Sequence, residues 1–253
     1  MSAKTRQELH GKRRRKQRRR RRGGGFRTAL GIILIVIALG LFALDPIKNY
    51  MIQKGQTQNA IHNLTVEQVR ENKKANVTYN WEDISSLSAY DVIRQNVNPD
   101  DLPTIGGIAI PSVNMNLPIY KGVSEAGMYL GAGTLYADQE MGVSNYSLAS
   151  HHSIHKDLLF APLLRVEYGD TVYLTDLEYV YVYEIDNIQT VPPTAVEVTY
   201  PTDNAILTLI TCDSTLQDRI VVQASLKEKV AINKASDAMI SAFKLPKTVP
   251  TDS

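Results

Sequence analysis

Cysteine is almost missing from this chain: Cys212 is the only one among 253 residues. One thiol cannot close an internal disulfide, so the fold must stand on its hydrophobic core. It also excludes a zinc site built from several thiolates at short spacing. Charge is absent from Thr28 to Leu44, and an internal repeat is absent throughout. The missing repeat sets aside solenoids and propellers.

The charge balance is equally lopsided. Residues 1–27 hold thirteen Lys or Arg against one Glu, whereas the remainder holds 15 basic and 25 acidic residues. Basic character is therefore confined to the tail "GKRRRKQRRRRRGGGFR". The uncharged "TALGIILIVIALGLFAL" follows it directly. At about 1.5 Å rise per residue that run is long enough for a thin hydrocarbon core. It is long for a signal peptide, and "FALDPIKNY" is not a small-x-small cleavage site. A retained single transmembrane helix over 28–45 is the expectation. Basic residues beside a first span stay in the cytoplasm, so the C-terminal mass is expected outside the cell membrane. The tail would also attract anionic membrane lipids. No nucleic acid is expected as partner, because the acidic remainder repels phosphates.

Residues 46–101 read as an extracellular stalk with a short helix leading into the next domain. "LTVEQVREN" and "SSLSAYDVIRQN" have helical character, and Ser88 is a plausible N-cap for the second. "NPDDLP" marks a boundary. From residue 102 to 245 the texture is that of short strands. "GGIAIP", "NLPIY", "DTVYLT", "YVYVYEID", "AILTLIT" and "RIVVQASL" are rich in Val, Ile, Thr and Tyr. Many short strands at close spacing predict an all-β barrel or sandwich. "ASDAMISAFKL" reads as a closing helix, and residues 246–253 as a loose tail.

A lone cysteine is most often inert packing. The other reading of Cys212, at the end of "AILTLITC", is a nucleophile. A thiolate needs a nearby cation, and His and Arg are the candidates. Three histidines cluster in "LASHHSIH": His151, His152 and His155. Neighbouring residues on an extended chain face opposite ways, which argues against a shared metal. In a catalytic reading a histidine protonates the leaving amine and Arg219 stabilises an oxyanion. A guanidinium stays protonated, so Arg219 is no base.

"TLITCDSTLQDRIVV" resembles the TLxTC…R signature of the sortases, and "NYSLASHH" is similar to their histidine strand. "IGGIAIPSVNMNLPIYKG" and "GMYLGAGTL" resemble earlier segments of class A members, so the resemblance runs from about Leu102 to Leu226. It implies a closed eight-stranded sortase-type β-barrel with short helices, carried behind a single N-terminal transmembrane helix. It implies a membrane-anchored cysteine transpeptidase of Gram-positive bacteria. His151, Cys212 and Arg219 fall on the catalytic positions, and Leu135, Val191, Val196, Val198 and Ile210 on groove positions for a Leu-Pro pair. The implied substrates are LPXTG-bearing surface proteins cut between Thr and Gly. The implied acceptor is an amine of the peptidoglycan precursor lipid II. A plain cysteine hydrolase and a non-catalytic wall-binding ectodomain are the alternatives.

Some class A members hold calcium through glutamates after the "GAGTL"-like segment. Here that stretch is "YADQEMG", with Tyr136 and Gln139 where two acids would fall. Calcium takes several carboxylate or carbonyl oxygens. No cofactor is therefore expected, with Asp138 and Glu140 as the remaining acids.

Overall fold

The computed structural model describes residues 24–80, 98–213 and 215–244. The expected basic tail, the helix over "SSLSAYDVIRQN" with Ser88, and the C-terminal tail lie largely or wholly outside them. The chain divides into two compact units, 1–46 and 47–253.

In the first unit the only described element is the start of helix α1 (Gly24–Gln58). Ile32, Ile35, Leu39 and Phe42 are all exposed on it. An apolar surface on every side of a helix suits lipid rather than water. Among the described residues this is the one helix long and apolar enough to cross a membrane. It fits a single-pass anchor.

The second unit begins inside the same helix, just after Pro46. Here the structure differs from a bare stalk. Ile52 is fully buried and packs with Tyr129, Leu158 and Leu159. Helix α2 (Val66–Asn72) follows, inside the expected "LTVEQVREN". Its Thr65 hydroxyl accepts from Gln68 N–H while the Gln68 side chain accepts from Thr65 N–H. That reciprocal pair satisfies two first-turn donors and fixes the helix start.

Eight strands then close a barrel in the order β1-β2-β3-β4-β7-β8-β6-β5. They are β1 (Thr104–Ile110), β2 (Met115–Tyr120), β3 (Ala132–Thr134), β4 (Asn145–Ala149), β5 (Thr171–Thr175), β6 (Tyr179–Val191), β7 (Ile206–Cys212) and β8 (Arg219–Ala231). Between β2 and β3 sits helix α3 (Glu125–Leu130), and α4 (Asp237–Ala242) closes the chain. Inward residues such as Ile108, Leu117, Leu148, Leu174, Tyr183 and Leu209 form the main core. Strand β1 is buried along its whole length. Outside it, Ile61, Val69 and Phe243 pack on Ala109 and Val180 as a second core. Gly107 permits that approach, since a Cβ there would meet Ile61 at 2.8 Å.

Candidate active site

Three strands set the site. β4 pairs parallel to β7, with Ala149 opposite Ile210. Ser150 N–H then donates to the Ile210 carbonyl at 3.2 Å and carries that register past the strand end. Two residues beyond Ala149 and Ile210 come His151 and Cys212. On the other flank β7 pairs with β8, and Cys212 stands opposite Arg219. The parallel crossover thus places His151, Cys212 and Arg219 in one row at one barrel rim. Side chains of strand period two share a face, so Ile210 and Cys212 look the same way.

That face forms a cleft of about 1160 Å³, its open mouth included. His151, Cys212 and Arg219 all line it. So do all five expected groove residues. Leu135 follows β3, Val191 ends β6, Ile210 lies on β7, and Val196 and Val198 belong to the 3-10 turn Val196–Thr199. Polar bonds fasten that turn. Asn145 Nδ2 donates to the carbonyls of Val198 and Tyr200, each at 3.0 Å. Asn145 Oδ1 accepts from Thr208 at 2.6 Å. The Thr199 hydroxyl, itself paired with Tyr136 at 2.6 Å, donates to the Val196 carbonyl.

The electrostatics favour neutral forms. Burial pushes the His151 imidazole down to about 4, with Glu125 acting weakly in the other direction. His151 is 6% exposed, and its Nε2 is buried without a hydrogen-bond partner. Its ring stacks on Tyr129 at 5.1 Å between centroids. Burial raises the Cys212 thiol; Arg219 opposes this and Asp213 adds to it. His152 also lines the cleft and is lowered by burial, with Asp213 opposing. Asp213 itself is held low, first by the Thr215 hydroxyl and then by backbone N–H groups of its loop. His155 is exposed on the loop surface, as expected.

The chain is similar to known proteins. A family profile described as Sortase domain matches residues 108–227. The chain is 37% identical to sortase A of Streptococcus agalactiae serotype III, over 86% of this chain and 91% of that one. It is 34% identical to sortase A of Listeria monocytogenes serovar 1/2a, over 82% and 95% respectively. The chain belongs to the sortase family. Its high-coverage relatives place it among class A sortases. A solved sortase A of Listeria monocytogenes superposes with a TM-score of 0.52, at 37% identity, over 55% of this chain and 96% of that one. This sortase is accordingly a transpeptidase of cell-wall anchoring, and its substrates are surface proteins carrying a sorting signal.

The segment after β3 that carries Tyr136 and Gln139 is held by hydrogen bonds. The Tyr136 hydroxyl is paired with Thr199. Gln139 Nε2 donates to the Ser147 carbonyl at 2.9 Å, and its Oε1 accepts from Ser147 N–H. No group of three His, Cys, Asp or Glu stands together among the described residues. Sequence reading had not singled out Tyr129, Pro192 or Pro193 as parts of the site. The prolines line the cleft beside Val191 and were visible as a turn signal. Tyr129 carries no sequence signal of its role.

Proposed function

We propose that this sortase cleaves an LPXTG-type sorting signal between Thr and Gly and joins the Thr carbonyl to an amine of lipid II. The carrying observation is the row His151–Cys212–Arg219 opening onto an apolar cleft. The Cys212 thiol passes its proton to His151 as the sulfur attacks the Thr carbonyl carbon, and Arg219 donates to the oxyanion that develops. As the C–N bond breaks, His151 gives its proton to the leaving Gly amine. A thioester on Cys212 remains. The acceptor amine then attacks it, His151 takes up the released proton, and the thiol returns. Val196, Val198 and Ile210 bury the Leu-Pro pair, and Leu burial contributes about 1.5–3 kcal/mol. That binding energy helps fix the scissile bond at attack distance.

With His151 lowered and Cys212 raised, the resting pair is neutral thiol and neutral imidazole. The thiolate–imidazolium form is then a minor species. Its share of the total stays constant with pH between the two apparent pKa values. Turnover in this reading needs no metal. The catalytic domain faces outward, and the basic tail rests on anionic lipids inside.

The test is mass spectrometry of the full chain in detergent with an LPXTG peptide and a glycine-type amine. The expected product is the peptide cut after Thr and joined to the amine, with Cys212→Ala inactive. Product from Cys212→Ala would refute the reading. A free Thr carboxylate as sole product would make the chain a hydrolase instead.

A further inference from the structure

A catalytic imidazole usually owes its orientation to a hydrogen bond from its second nitrogen. At His151 no such bond is present among the described residues. Its Nε2 is buried and unpartnered, and no described residue makes a side-chain hydrogen bond to the ring. What touches the ring plane is Tyr129, stacked at 5.1 Å with 24° between planes. Tyr129 is fully buried on α3.

The chain leading out of the anchor packs against Tyr129. Ile52 on α1 packs with Tyr129, Leu158 and Leu159, and Met51 lies against the same cluster. Gly55, one turn on, allows the close fit: a Cβ there would meet Leu130 at 2.6 Å. The same cluster reaches the backbone around the histidine. Leu159 forms a β-bridge with His152, and Phe160 N–H donates to the His151 carbonyl at 3.3 Å. Ile52 therefore abuts both the ring support and the loop that holds the histidine backbone.

We propose that Tyr129 is the positioning residue for His151, and that Ile52 on the anchor helix holds Tyr129 in place. This rests on the catalytic role proposed above for His151. The stack fixes the imidazole plane and keeps water from it, while leaving Nε2 without a protein partner among the described residues. The helical segment Ile47–Gln58 is then part of the working site rather than a tether. Side-chain burial at His151 agrees with this, since its low pKa comes first from exclusion of water.

Two measurements on the full chain in detergent test it: steady-state turnover of an LPXTG peptide, and titration of the His151 ring by NMR in a Cys212→Ala background. Tyr129→Ala should lower kcat about tenfold with KM moving less than about twofold, since orientation rather than binding is lost. Its His151 titration should move up from about 4 toward the ordinary 6.5 as water enters. Tyr129→Phe keeps the ring and should restore both readouts. Ile52→Ala, which leaves every cleft side chain in place, should show the same pattern at about threefold. Thermal melting checks that each variant is folded; where Tyr129→Ala is not, Ile52→Ala decides. An unmoved His151 titration, an effect falling on KM, or failure of Phe to restore would overturn the proposal. The titration needs no turnover. A moved titration with unchanged kcat would instead remove His151 from the mechanism, and the positioning role with it.

Discussion

Two clefts of the barrel domain treat polar groups in opposite ways. One is lined by His151, Cys212 and Arg219. The other lies near the loop after β3 and is lined by Lys73, Lys121, Asp176, Tyr181 and Lys229. In the second cleft each of these cations has a partner. Lys73 Nζ is 3.0 Å from Asp176. Lys121 donates to the carbonyls of Lys73 and Ala75 at 2.7 and 2.9 Å. Lys229 lies 4.2 Å above the Tyr179 ring. In the first cleft the His151 Nε2 is buried without a partner among the described residues, and so is the Nδ1 of His152, which lines it as well. Folded chains pair nearly all buried polar groups, so each exception calls for a reason. Where all are paired, the chain is complete. Where they are not, a substrate can supply what is missing.

The largest test of this contrast lies within the histidine pair. His151 continues the β4 register opposite Cys212, whereas His152 turns to bridge Leu159. His151→Ala should lower kcat/KM by about a thousandfold, the scale of a lost general acid with its nucleophile partner. His152→Ala should cost about tenfold or less. Peptide cleavage assays on both variants check this. Equal losses would show that the row across the three strands does not choose the acid.

The next test uses stability instead of turnover. His151 titrates near 4 when folded and near 6.5 when unfolded. Between those values the unfolded chain binds the extra proton, so stability is full above 6.5 and falls as pH drops toward 4. At 1.36 kcal/mol per pKa unit the loss reaches about 3 kcal/mol. Denaturant melts of the wild type should show this acid slope, and His151→Phe should remove most of it. If the slope persists in His151→Phe, the unpartnered imidazole is not its source.

Much of this was legible before any coordinates. Short Val- and Tyr-rich runs announced strands, because alternation with a half-buried face leaves a period-two pattern. Leu135, Val191, Val196, Val198 and Ile210 were placed by resemblance, and all five line the cleft. Other features were not legible, for a physical reason. The segment Ile47–Gln58 looks like a polar stalk, because the residues it buries are Lys48, Ile52 and Gly55, of which only Ile52 is a large apolar one. So few apolar positions do not show as a stripe. The role of Tyr129 depends on α3 setting its ring against a residue 22 positions later. No local pattern carries that distance. The pairing of β4 with β7 is similar: Ala149 meets Ile210 across two intervening strands, so only the closed topology brings the histidine to the cysteine.

The smallest expected effect is in the paired cleft. Lys73→Met removes one ion pair whose lysine is 42% exposed and whose aspartate is 8% exposed. Screening by water limits what the lysine contributes, to about 0.2–1 kcal/mol for pairs of this kind. The aspartate keeps other partners, because Asp176 Oδ1 accepts from the N–H groups of Glu178 and Tyr179 at 3.1 and 3.0 Å. The variant should therefore melt slightly earlier and cleave the peptide at the wild-type rate. Its dependence on pH should also match the wild type. A tenfold fall in turnover would mean that the second cleft takes part in the reaction after all. Charge pairing would then not separate a structural cleft from a chemical one in this barrel.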